Sequence, residues 1–195
     1  MKKNFIFILV LFFLTVFLSG CVDILPTQEN DLIAPGEGRL KIYLTDLSEK
    51  NKANDPETYV AINLIIYKMQ AHLAGEDEED EGEWIEWILN EPTEYNLIEL
   101  KDESILLSED ELTPGKYTQI RLFVTDASLD IKSGEIGVPI EIPSVYQTGI
   151  KLIHPFEIIA GETIELTIDF DAEKSIIKTG NGNYKLVPVI KVVTI

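Results

Sequence analysis

Cysteine is nearly missing from this chain, which has Cys21 and no other. A single thiol cannot form an internal disulfide, so the fold must stand on its hydrophobic core, and a cysteine-based metal site is excluded with it. Histidine is almost as scarce. His72 and His154 are too few for a histidine-rich zinc centre and read as ordinary core or surface residues. The sequence also lacks a Gly-x-Ser-x-Gly elbow, a phosphate-cradling glycine loop and a His-Glu-x-x-His pair. An enzyme is therefore not expected, a hydrolase being the distant alternative. There is no long helical stripe, and the only long apolar run lies at the start of the chain.

That run, Phe5 to Leu18, follows Lys2 and Lys3 and is relieved only by Thr15. It is shorter than the roughly 20 apolar residues a membrane-spanning helix needs, so it reads as a secretory signal covering residues 1–20. Leu18, Ser19, Gly20 and Cys21 together resemble the lipobox of bacterial lipoproteins. The resemblance implies that the Cys21 sulfur takes a diacylglyceryl group and that cleavage leaves Cys21 as the lipidated first residue. Two acyl chains on one glycerol give lasting membrane residence where one gives only marginal binding. The expected location is extracytoplasmic and lipid-anchored. Val22 lacks the aspartate associated with inner-membrane retention, which leaves an outer membrane open where the host has one.

Charge is one-sided: the formal net value is −18. Such a surface repels phosphate, so nucleic acid is excluded as a partner, and so is adsorption of the domain to anionic lipid. Partners should be neutral, basic or cation-mediated, a glycan or an envelope protein among them.

Residues 21–37, with Pro26, Asn30, Asp31, Pro35 and Gly36, read as a tether. From Gly38 to Ile195 the pattern is short alternating segments between turn residues, which predicts a single all-β domain, a β-sandwich. Leu40, Ile42 and Leu44 share one strand face, as do Ile120, Leu122 and Val124, and Ile164, Leu166, Ile168 and Phe170. Hairpin corners are expected at Pro114-Gly115, at Gly161 and at Gly180 to Asn183. Alternation slips at Ile65-Ile66, which calls for a bulge or a strand that changes sheets. Pro188, inside "YKLVPVIKVV", calls for an edge position or a bulge.

The ordered set "GRLKIYLTD", "LTPGKYTQIRL", "GIKL", "LTIDFDAEKSI" and "YKLVPVIKV" resembles the domain of unknown function 4382, found in exported bacterial and archaeal proteins that are often lipoproteins. The resemblance spans almost all of Gly38 to Ile195. It implies a β-sandwich, immunoglobulin-like or of the prealbumin or carbohydrate-binding-like kind, and transfers no catalytic residues. The sequence departs from the family at Leu47, where a small residue and a proline often follow, so the first turn is expected to differ.

Three features carry candidate chemistry. The run "GEDEEDEGE" from Gly75 to Glu83 lacks the ligand spacing of a calcium loop and reads as a solvated hairpin tip. Asp169 and Asp171 share one strand face about 7 Å apart. They are read first as structural or turn-capping groups, then as a calcium site, and last as a catalytic pair. In "EWIEWIL" residues three apart face opposite ways, so Trp87 joins Ile85 and Leu89 in the core while Trp84 and Glu86 face outward. An exposed indole beside a carboxylate suits a sugar, the ring covering its apolar face; a Trp84 packed under a loop is the plainer reading.

Overall fold

The computed structural model describes residues 33–47, 59–77, 79–101 and 103–193, with the side chains of 90–92 left aside. Residues 1–32, which hold the expected signal sequence, Leu18, Ser19, Gly20, Cys21 and most of the expected tether, lie outside them. No helix among the described residues is long and apolar enough to cross a membrane.

Among the described residues eleven strands form two sheets packed as a sandwich. The smaller sheet is built on β1 (Gly38–Thr45), which pairs antiparallel with β4 (Ser104–Leu112) and parallel with β8 (Thr163–Phe170); β11 (Ile190–Val193) closes its far side against β8. The larger sheet centres on two long strands, β2 (Tyr59–Leu73) and β5 (Gly115–Ile131), with β3 (Glu83–Asn96) outside β2. β5 serves two neighbours in succession. Its first half pairs with β7 (Ile150–Ile158), and its second half meets β6 (Val138–Glu141), which leads on to β10 (Tyr184–Leu186) and β9 (Ile176–Lys178).

The alternation seen in the sequence selects the faces. Leu40, Ile42, Leu44, Ile120, Leu122, Leu166, Ile168 and Phe170 are all buried in one continuous core between the sheets. Burying such side chains contributes on the order of 2 kcal/mol each, which is how a cysteine-free domain of this size holds together. The slip at Ile65-Ile66 is a bulge. Ile65 stands opposite Asp126 and Ile66 opposite Val124, and β2 stays in one sheet throughout.

Two expectations need correction. Of the three supposed hairpin corners, only Gly180 to Asn183 joins paired strands, β9 and β10. Pro114-Gly115 carries the chain from β4 in the small sheet to β5 in the large one, and Gly161 carries it back from β7 to β8. Glycine and proline serve a sheet-crossing turn as well as a hairpin, so the turn residues alone do not separate the two. Pro188 is neither in an edge ladder nor in a bulge. It lies between β10 and β11, where the chain crosses from the large sheet to the small, and a residue without an N–H fits where no ladder bond is made.

The crossing from β4 to β5 is pinned by Tyr117, which is fully buried, stacks on Phe156 at 5.0 Å and donates its hydroxyl to the Thr113 carbonyl at 2.9 Å. Burial pushes its phenol up to about 12, helped by the charges of Glu37 and Glu83, so it remains a donor at every physiological pH. Tyr117→Phe keeps the ring and strands the carbonyl. Urea denaturation should show a loss of about 1–2 kcal/mol with the slope of the transition unchanged.

Candidate ligand-binding cleft

β3 ends the large sheet and β4 ends the small one, and both face the same side of the sandwich. Opposite Ile66 on β2 stands Thr93, yet opposite Lys68 stands Ile88, so residues 89–92 of β3 face Tyr67 alone. This wide bulge draws the edge of β3 away from regular pairing. Beside it opens a cavity of about 470 Å³ lined by Trp87, Leu89 and Tyr95 from β3 and by Leu106, Ser108, Glu109 and Asp110 from β4. Ile88 at 68% exposure and Leu106 at 48% form its apolar rim.

The cavity floor is polar by design of the strand pattern. Leu112, Asp110 and Ser108 alternate on the inward face of β4, so a hydroxyl and a carboxylate stand where a core strand would carry aliphatic groups. Trp87, 9% exposed, donates its indole N–H to the Ser108 hydroxyl at 2.7 Å, and Ser108 donates to Asp110 Oδ2 at 2.9 Å. Burial raises the Asp110 carboxyl above its ordinary value; the Ser108 hydrogen bond opposes this and the Glu109 charge adds to it. Glu109 itself turns outward to Arg39 at 3.4 Å and Lys41 at 3.6 Å, leaving Asp110 as the carboxylate committed to the cavity.

Trp87 sits in the core beside the partly buried Ile85 and Leu89, as expected. Trp84 and Glu86 lie on the outer face of the large sheet, but neither stands alone. The Arg121 guanidinium carbon lies 3.7 Å from the centre of the Trp84 ring, and His72 packs 4.8 Å from it. Glu86 accepts from Lys68 Nζ at 3.0 Å and from Gln70 Nε2 at 2.7 Å, and these bonds, that of Lys68 first, hold its carboxyl below the ordinary value. Gln70 Oε1 and Arg121 Nε are buried without hydrogen-bond partners among the described residues. His72 also binds Thr118 and the Glu81 carbonyl, tying the acidic tip to the sheet, while Asp77 and Asp80 cap backbone N–H groups inside that tip.

Asp169 and Asp171 occupy a corner far along β8 from the turn that begins it. Asp169 is on the outer face but only 6% exposed, because its Oδ1 accepts from the Leu47 N–H at 2.9 Å and its Oδ2 meets Lys191 at 3.1 Å. Leu47, the residue at which the sequence departs from the resembling family, thus closes the first turn onto β8. Asp171 caps the turn that follows, accepting from the Lys174 N–H at 3.1 Å and its Nζ at 2.6 Å. His154 is half-buried in β7. Among the described residues no three acidic, histidine or cysteine side chains gather as metal ligands.

Sequence reasoning missed Tyr95, Ser108 and Asp110. The signal was present in "LLSEDEL", where polar residues replace apolar ones on the face that ends in Leu112. It was hidden because a one-residue irregularity at Leu107 shifts the pairing with β1 between Ile42 and Tyr43, so alternation read from Ile105 arrives on the wrong face.

Two outcomes test this geometry. Because the folded Asp110 pKa lies above the unfolded one, the native state holds that proton more tightly, and stability falls as pH rises through the interval between them. Asp110→Asn should therefore melt higher than the parent at pH 7, with the difference vanishing below pH ~4. At the other corner, Lys174, Lys191 and backbone N–H groups already serve both aspartates, so melting curves in EDTA and in millimolar calcium should superimpose.

No curated protein and no solved structure matches the chain. The family model described as domain of unknown function (DUF4382) matches residues 37–188, which takes in every strand of the sandwich except the last. The cleft, the outer face around Trp84 and the corner at Asp169 all fall within that match, and the chain belongs to the DUF4382 family.

Proposed function

We propose that this protein is a membrane-anchored extracytoplasmic lipoprotein whose β-sandwich is a binding module, and that it engages an envelope protein through the cleft between β3 and β4. The observation that carries the reading is the coincidence of two terminal strands, an open cavity of about 470 Å³ and an apolar rim on one side of the sandwich. Apolar side chains surrounding a few oriented polar groups are the usual composition of a recognition site. The Ser108 hydroxyl is committed to Asp110 and Trp87, which supports recognition over nucleophilic chemistry. Anchoring rests on the sequence around Cys21 and on the family's frequent occurrence in lipoproteins.

A glycan on the outer face of the large sheet is the second reading. It is favoured by two orphan groups on cross-strand partners, Gln70 Oε1, an acceptor, and Arg121 Nε, a donor, the Arg121 guanidinium lying against the Trp84 ring. A sugar hydroxyl, being both donor and acceptor, is the kind of group that either would pair with.

The test places a photo-crosslinking phenylalanine derivative at Leu106, and at Val145, exposed on the turn Ser144–Tyr146 outside the cleft, in the protein expressed in its host envelope. A discrete protein adduct should form from position 106 and not from 145, and Cys21→Ser should shift the protein out of the detergent phase. Equal labelling from both positions would overturn the cleft as the site. Polysaccharide binding abolished by Trp84→Ala and kept in Leu106→Lys would move the site to the outer face.

A further inference from the structure

The reading of the cleft as the binding site leads to its ligand. β4 pairs with β1 along one side and, among the described residues, with no strand along the other. Its row of free N–H and C=O groups is a template for another strand, and natural proteins guard such edges with bulges and inward-pointing charges. Both guards are present. The irregularity at Leu107 interrupts the edge, leaving Ser108–Leu112 as its regular stretch, and Asp110 points into the space between the sheets. An apolar strand added here would bury Asp110 beside aliphatic side chains, which costs several kcal/mol for an unpaired carboxylate.

The guard is selective, since a cation removes that penalty. In an antiparallel pair directly opposite residues share a face, with Cβ atoms about 5 Å apart. A residue opposite Asp110 therefore enters the cavity, at a distance a lysine or arginine spans easily. Asp110 Oδ2 accepts from Ser108, and its Oδ1 accepts nothing from the described residues. Among the described residues no lysine or arginine lines the cavity, and the net charge of −18 favours approach of a cationic segment. Tyr95, Ile88 and Leu106 offer apolar surface to its neighbouring side chains.

We propose that the cleft takes an extended cationic segment of a protein partner, which adds as a strand to β4 over Ser108–Leu112 and sets a lysine or arginine opposite Asp110. Main-chain pairing gives affinity without regard to sequence, and the inward carboxylate supplies the discrimination.

The experiment uses the full lipidated protein in nanodiscs and two labelled, end-capped octapeptides, one alternating lysine with valine, the other with glutamate in place of each lysine. Fluorescence anisotropy should show binding of the lysine peptide alone. Asp110→Asn should weaken it about tenfold, the change expected when a partly buried charge pair worth about 1.4 kcal/mol is lost. Leu106→Lys, at an exposed position that tolerates substitution, should weaken it as well by repulsion. Hydrogen exchange should show new protection at residues 108–112. Failure of the lysine peptide to bind, equal binding of both peptides, affinity indifferent to Asp110→Asn, or protection elsewhere would each overturn the proposal. Should the peptide fail while position 106 still crosslinks to one envelope protein, the cationic strand falls and the cleft stands. Should both fail, the cleft falls with it.

Discussion

The small sheet hangs on β1. It is the one strand of that sheet flanked on both sides by long partners, antiparallel to β4 and parallel to β8, and its inward residues Leu40, Ile42 and Leu44 sit at the centre of the core. A parallel neighbour cannot be reached by a short turn, so the chain passes through β2, β3 and β5 to β7 of the large sheet, and through β4, before β8 returns to β1. That detour has a consequence for function. With β8 on one side, the other side of β1 belongs to β4, and β4 becomes the outer edge over the bulged end of β3. The cleft follows from how the small sheet is closed.

Much of this was legible in the residues. Period-two alternation on β1, β5 and β8 identified strands and their core faces, because one face of each is buried and a shift by one residue would expose it. The opposite-facing pair Trp84 and Trp87 was legible for the same reason. Membership of a sheet was not: a glycine or proline turn permits a hairpin and a sheet crossing alike, and the difference at Pro114-Gly115 is made by Tyr117 reaching back to the Thr113 carbonyl. The site was hidden more deeply. Asp110 matters through its position on an edge, and edges are decided by long-range pairing between residues some 70 apart, such as Leu40 with Asp110.

The described acidic residues fall into three physical classes. Most of those described stand in solvent or against a lysine near the surface, as Glu86 does with Lys68. Such exposed pairs contribute little to stability, typically under about 1 kcal/mol, and serve to keep the faces wet and soluble. Asp169 belongs to neither solvent nor a lone ion pair: the Leu47 N–H and Lys191 converge on it, and its small exposure makes it a joint between the first turn, β8 and β11. Its partners are internal and complete.

Asp110 is different because its surroundings pull in opposite directions. Ser108, itself held by Trp87, supplies one hydrogen bond that favours the ionised form, while burial and Glu109 favour the protonated one. A core strand optimised for stability alone would carry leucine at both positions, filling the inter-sheet space and closing the cavity. The polar pair keeps that space open and holds a carboxylate there at a cost in stability, with Trp87 fixing its hydroxyl partner in one orientation. A group that is destabilising where it stands, oriented by its neighbours and placed beside a strand edge unpaired among the described residues, is the one that the proposed cationic strand would neutralise.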